Sequence, residues 1–332
     1  MTLQFPSDRL IYQDFVQTYE NLISGYLDGQ EAERRRAVNR FFAILAAGVG
    51  VGGIMLLLRP FGDDSFAAAF FAGFAGFGVA GWQLGRAEND ITHGLLSRIC
   101  GGLGLSYERN IGRPDYFADF KKTKLIGGFN EETWEDAVAG SHSGARFECC
   151  EAHLIQESGS GKNRSRRTVF HGQLIVIDYP KPFLGVTVLH RDRGVFNRFT
   201  KPGSEYSHVG LASGEFEKAF EAWSTDQVEA RDLLDPIVLE RFQELERLYG
   251  GDSLRAAFIG GRLILAIATG DRLSLGSMFK SINGVRQVET ILKEFDLIFD
   301  LIDVLIKRVD RPMDGPITAA GLRAADARLA DD

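Results

Sequence analysis

Phe41–Leu58, FFAILAAGVGVGGIMLLL, and Phe66–Trp82, FAAAFFAGFAGFGVAGW, decide how this chain is organised, because neither run contains a charged residue. At roughly 1.5 Å per residue, each is just long enough to cross a hydrocarbon layer of about 30 Å. A buried helix pair in a soluble core would keep polar residues on one face, and these runs have none. A secretory signal would begin near the N-terminus and would not be answered at once by a second apolar run. The two runs therefore read as the spans of a transmembrane hairpin, residues 41–82. Arg34, Arg35, Arg36 and Arg40 precede the first span and Arg86 follows the second, while the connecting RPFGDDS offsets one arginine with Asp63 and Asp64. The excess of arginine on the flanks places both arms in the cytoplasm, with about seven residues outside.

Within the second run, Phe66, Phe70, Phe74 and Phe77 share one helical face, and Ala69, Ala72, Gly73, Gly76 and Ala80 share another. Small residues let helix backbones approach, so the second stripe is expected to meet Gly48 and Gly52 of the first span. Gly48, Gly50 and Gly53 also spell GxGxxG, but a dinucleotide fingerprint needs a strand before it and a helix opening after it. Inside a span it has neither.

Before the first span, Ile11, Phe15, Tyr19, Leu22, Ile23 and Tyr26 recur at helical spacing, so residues 1–40 are read as a cytoplasmic segment whose amphipathic helix, 8–36, leads into the membrane and docks on the protein's own later domain; Asp8, Asp14, Glu20 and Asp28 on its polar face disfavour adsorption to the membrane surface. Beyond the hairpin, residues 86–101 continue as a helix until Gly101, Gly102 and Gly104 break it. Strands are expected at 146–156, 168–178, 184–190, 206–212, 254–259 and 262–268, the last pair joined by a Gly260-Gly261 turn. Between them, Ser224 and Gln227 form a capping-box pattern, and Asp235-Pro236 supplies a further helix start. The closing helix repeats apolar residues from Val285 to Val309 at alternating spacings of three and four. Packing within the chain is the favoured reading of that stripe, and self-association through residues 285–309 the alternative. The fold class is thus α+β: a two-helix transmembrane hairpin plus a largely antiparallel-sheet cytoplasmic domain, residues 83–310, with a long C-terminal helix. The tail, residues 311–332, has no core pattern and is expected to be disordered.

A net charge of −7 and three cysteines bound the chemistry. The acidic balance argues against nucleic acid as a partner, and so few cysteines exclude a disulfide scaffold. Gln156–Asn163, QESGSGKN, approaches a phosphate loop but lacks its first glycine and its hydroxyl, and it leads into a strand. It reads as a hairpin loop whose Lys162, Arg164, Arg166 and Arg167 are solvated. If that hairpin turns symmetrically about Lys162, His153 faces His171 with Glu151 and Gln173 alongside, a possible start of a metal site; isolated strand histidines are more often structural. No HExxH, CxxC or GxSxG occurs. No catalytic, cofactor-binding or metal-binding residue is assigned, and no cofactor is expected.

The stretches VFHGQLIVIDYPKPFLGVTVL, Val169–Leu189, and LASGEFEKAFEAWSTDQVEARDLLDP, Leu211–Pro236, follow the hairpin. In that order they resemble a bacterial membrane protein family known as domain of unknown function 3137, which has a V-F-x-G-x-L strand, an E-F-x-x-x-F segment and a leucine-proline helix start. The resemblance rests on Phe170, Gly172, Phe183, Glu215, Phe216, Phe220, Glu229, Ala230 and Leu234-Asp235-Pro236. It implies a bacterial inner-membrane protein and carries over no catalytic residue. The expected function is a membrane-anchored binding, scaffold or regulatory module whose partners are the lipid bilayer and a protein. A membrane-bound enzyme acting on a lipid or a small cytoplasmic substrate is the alternative.

Overall fold

The computed structural model describes residues 3–179, 183–191, 202–211, 214–248, 254–269, 278–279 and 284–310. The chain divides into two compact units, Met1–Gly104 with Leu273–Ile291 and Leu105–Arg272 with Leu292–Asp332. The expected disordered tail, 311–332, lies outside the described residues, as do Ala212 of the expected 206–212 strand and the side chains of residues 308–310 at the end of the closing stripe.

In the first unit, helix α1 (Leu10–Thr18) passes through a π-helical turn (Tyr19–Ile23) into α2 (Ser24–Leu58), and α3 (Ser65–Gly102) returns alongside. Both helical runs are long and apolar enough to cross a membrane, with 11% and 17% of their most apolar windows buried. The two small-residue stripes meet as expected. A Cβ added at Gly48 would lie 3.1 Å from the Gly76 Cα, and one at Gly52 would lie 3.0 Å from the Ala69 carbonyl oxygen. A side chain at either position would push the backbones apart by a few tenths of an ångström, so glycine favours that approach. The GxGxxG residues lie inside α2, consistent with their dismissal.

The amphipathic helix is present, with a corrected face. Tyr12, Phe15, Ile23 and Leu27 are buried, whereas Leu22 points outward. The π-helical turn adds one residue to the winding and rotates everything beyond it, so uniform helical spacing misplaces that side chain. Its partner is the extension of α3 beyond the apolar run. Tyr26 donates its hydroxyl to the Ile91 carbonyl at 3.0 Å, Arg98 lies over the Tyr26 ring, and Phe15 packs on Gly102. That extension ends where the glycines predict, with Gly104 at φ +69°.

The second unit is a nine-stranded, wholly antiparallel sheet in the order β1-β2-β3-β4-β9-β8-β5-β7-β6. Six of its strands are the expected ones: β3 (Ala145–Ser158), β4 (Ser165–Asp178), β5 (Thr187–Arg191), β6 (Ser207–Val209), β8 (Arg255–Ile259) and β9 (Arg262–Ala268). Gly260 and Gly261 turn the last hairpin at φ +57° and +78°. Three further strands, β1 (Ser106–Asn110), β2 (Glu131–His142) and β7 (Phe220–Ser224), were not legible by composition. Beside the sheet lie α4 (Phe117–Lys122), α5 (Gly214–Ala219), α6 (Gln227–Leu233), α7 (Pro236–Leu248) and the long α8 (Gly284–Asp310).

Two helix starts are settled by hydrogen bonds. Asp235 accepts from the Ile237 amide ahead of Pro236, as expected. At α6, however, the cap is Asp226, whose carboxylate accepts from the Val228 and Glu229 amides. Ser224 instead bridges back to β5 by way of Thr187 and the Val186 carbonyl. Aspartate one residue before the helix is the stronger acceptor for those amides, and β7 already fixes Ser224 in the sheet.

The closing stripe is spent inside the chain. Val288, Leu292, Phe299, Ile302 and Leu305 are all at 0% exposure. In the second unit, Phe299 packs on Phe147 and stacks on the His142 ring, while Asp303 holds His142 at 2.9 Å and accepts from Ser143 at 2.7 Å. The opposite face of the sheet carries Cys150, Ala152, Leu154, Phe170, Leu174, Val176, Ile264 and Ala266, capped by Phe117 and Phe120 of α4. Burying each of those rings contributes about 1.5–3 kcal/mol.

Candidate functional site

A cleft of the second unit opens where this α4-covered face runs out of apolar side chains. Along β3, alternate residues on that face read Arg146, Glu148, Cys150, Ala152 and Leu154, a passage from charged rim to dry core. Arg146 pairs with Asp178 at the end of β4 at 2.9 Å. Asp178 is in turn the cross-strand neighbour of Arg262 on β9. Arg262 reaches Asp119 on α4 at 3.4 Å and Asp178 at 3.9 Å. The three strand ends thus present a row of alternating charge, the arrangement that cross-strand pairing favours.

Over this row lies the segment that enters α4, anchored by Phe117 against Trp134 at 4.8 Å between ring centroids. It encloses about 510 Å³, lined also by Asp115, Tyr116 and Glu148. An adjoining cavity of about 350 Å³ shares Pro114, Tyr116 and Glu148 and extends along β1 and β2. Its far wall is shaped by the β2 bulge, where Asp136 takes φ +52° and accepts a hydrogen bond from the Tyr107 hydroxyl at 2.7 Å.

Tyr116 divides the two cavities and donates its hydroxyl to the Cys150 sulfur at 3.4 Å. Burial pushes the Cys150 thiol up to about 11, despite the opposing pull of that hydrogen bond. Burial, reinforced by Cys150, raises the Tyr116 phenol further. Neither group is an activated nucleophile near neutral pH. Both arginines of the row are already engaged with aspartates, which leaves Glu148 and Asp115 to give the cleft an acidic surplus. Such a site is suited to holding a polar ligand or side chain.

The residues singled out by sequence lie elsewhere. The β3–β4 hairpin does turn about Lys162: His153 pairs with His171, and Glu151 with Gln173. The imidazoles stack at 4.1 Å with 16° between planes, and Glu151 lies 3.8 Å from His171. Stacked rings run parallel and do not converge on a point, and among the described residues no group of three ligating side chains gathers around an ion. In the loop itself, Arg164 pairs with Glu157 and Arg166 with Glu131, and Arg167 is exposed. The side chain of Lys162 lies outside the described residues. Gly161–Asn163 forms a single 3-10 turn between two strands, so no helix N-terminus faces the loop.

The cleft itself was missed by sequence reasoning, although one signal was present. Symmetry about Lys162, which pairs the histidines, also sets Arg146 opposite Asp178.

Comparison with known proteins adds a family-model match. Residues 168–307 match the model described as Protein of unknown function (DUF3137). This bears out the resemblance, and the structure shows what the DUF3137 residues do. A Cβ at Gly172 would lie 2.2 Å from the Ile267 carbonyl oxygen on the neighbouring strand. Glu229 accepts the Leu184 and Gly185 amides at 2.9 and 2.7 Å, Asp235 caps α7, and Phe170, Phe220 and Ala230 are buried. The side chain of Glu215 lies outside the described residues. These motif residues build the sheet and its helices. Most of the cleft's lining, by contrast, comes from residues 106–148, before the matched segment.

Among solved structures, the chain is similar to the crystal structure of the mycobacterial trehalose monomycolate transport factor A, TtfA. The identity is 14% and the TM-score 0.33, over 61% of this chain and 93% of that one. The search of curated proteins finds no match.

Proposed function

We propose that this chain is a membrane-anchored binding module: residues 41–58 and 66–82 cross a bacterial inner membrane as a hairpin, both arms lie in the cytoplasm, and the sheet unit recruits a partner through its charged cleft. The observation that carries the reading is the outward belt of the hairpin. Phe66, Phe70, Phe74 and Phe77 are 57–73% exposed, and Leu57 is 84% exposed. So much contiguous apolar surface is a liability in water and ordinary in lipid. The flanks support the orientation. Although Arg34, Arg35 and Arg36 pair with Glu31 or Glu33, the orienting bias counts arginines and lysines rather than net charge.

The test has two arms. Full-length protein should stay with the membrane pellet through alkaline carbonate extraction, and excision of residues 41–82 should release it; release of the intact chain would contradict the anchor. In-cell cross-linking should capture one reproducible partner that Arg146→Glu abolishes. Recovery of the protein alone, or capture indifferent to Arg146→Glu, would contradict recruitment through the cleft.

A further inference from the structure

The apolar belt does not stop at the hairpin. Met278 and Phe279, far along the chain, belong to the same compact unit as the two spans. Arg34, only 8% exposed, holds this segment by donating from Nη1 to the Met278 carbonyl at 2.6 Å while its Nε and Nη2 donate to Glu31. Met278 is buried on Ala37 and Ile91. Phe279 turns the other way. Its ring lies 5.4 Å from Phe41 and 6.0 Å from Phe42 between centroids, yet it remains 52% exposed.

Phe41 and Phe42 open the first span, and Trp82 closes the second. Their level is shared, because the antiparallel seam sets Gly48 against Gly76 and Phe41 against Phe77. Three exposed rings, Phe42, Phe279 and Trp82, thus lie toward one end of the hairpin, and Arg86 lies over the Trp82 ring at 5.8 Å. Aromatic rings followed by arginines are the composition of a protein surface at the headgroup boundary of a bilayer.

We infer that Phe279 is a third membrane contact: the chain returns to the bilayer after its sheet strands and seats this ring at the headgroup–acyl boundary, beside Phe42 and Trp82. The inference rests on the transmembrane reading of the hairpin and adds to it a contact remote in sequence. Bilayer lipid is the occupant because the patch is continuous with the hairpin's own outward surface. Arg34 is the positioning residue, holding the backbone so that the ring projects outward.

The test uses full-length protein in nanodiscs of zwitterionic and anionic phospholipid, with an environment-sensitive fluorophore at Phe279→Cys and, separately, at Phe74→Cys. The native Cys100, Cys149 and Cys150 are all buried and do not compete. The Phe279 probe should be quenched by lipid brominated near the carbonyl end and lose most of its quenching by aqueous iodide. The Phe74 probe should be quenched by lipid brominated near the chain terminus. If the Phe74 probe behaves so while the Phe279 probe ignores both lipids, the third contact is wrong and the hairpin stands. If neither probe responds to lipid, both readings fall. Phe279→Trp, a smaller perturbation, should add a blue-shifted emission component with the same quenching pattern; a red-shifted, iodide-quenched component would overturn the inference.

Discussion

Two groups of phenylalanines in this protein have opposite surroundings. On α3, Phe74 is 68% exposed, stacked on an equally exposed Phe70; on α4, Phe120 is at 0%, packed among the apolar side chains of the sheet. One residue type thus has two opposite surroundings, which the proposed transmembrane reading explains as two solvents. In the sheet unit, water drives apolar side chains inward and α4 closes over them. Along the hairpin, the interior is filled by glycine and alanine, and the large side chains face out, as expected where lipid is as apolar as they are.

The comparison is sharpest at those two residues. Phe120→Ala should destabilise the sheet unit by about 3–5 kcal/mol. Phe74→Ala should leave stability within about 0.5 kcal/mol. Tryptophan-monitored denaturation in detergent reads both, and a loss at Phe74 matching that at Phe120 would erase the distinction.

A second effect belongs to the dry floor of the cleft. The Cys150 thiol is raised to about 11 in the fold from an ordinary value near 9. Above the lower value the unfolded chain gives up this proton while the folded chain keeps it. Stability is therefore unaffected below about pH 9 and falls as pH rises toward 11, by about 2–3 kcal/mol. Cys150→Ala should remove that part of the alkaline slope; an unchanged slope would mean that the floor is wetter than its packing shows. A smaller effect is expected where the surface alone is involved. Asp226→Ala should cost about 1 kcal/mol by uncapping α6, readable as a shift in the denaturation midpoint, and Ser224→Ala should not reproduce it through loss of a cap.

How much of this was legible follows from the same physics. The hairpin was readable down to its seam, because small and large residues alternate at helical spacing with no polar residue to blur the pattern. The β3–β4 register was legible only as a condition, a symmetric turn about Lys162, which the strands meet from Phe147 to Leu154 before a bulge shifts the pairing. Strand β2 was not, since EETWEDAVAGSH is rich in carboxylates and its bulge at Asp136 breaks the alternation. Strand β7 was hidden behind the E-F-x-x-x-F segment, whose first part is helical and whose last phenylalanine opens the strand. The cleft was least visible, because Asp119, Arg146, Asp178 and Arg262 are brought together only by two strand pairings, β3–β4 and β4–β9, and the α4 contact.

If residues 41–82 cross the bilayer twice, both arms lie on one side and the connecting loop on the other. Single cysteines at Ala32, Asp63 and Asn89, all exposed, can be challenged with a membrane-impermeant maleimide in bacterial spheroplasts and in inverted vesicles. Asp63→Cys should be labelled in spheroplasts and not in inverted vesicles, while Ala32→Cys and Asn89→Cys should show the reverse. Labelling of all three from the same side would contradict it.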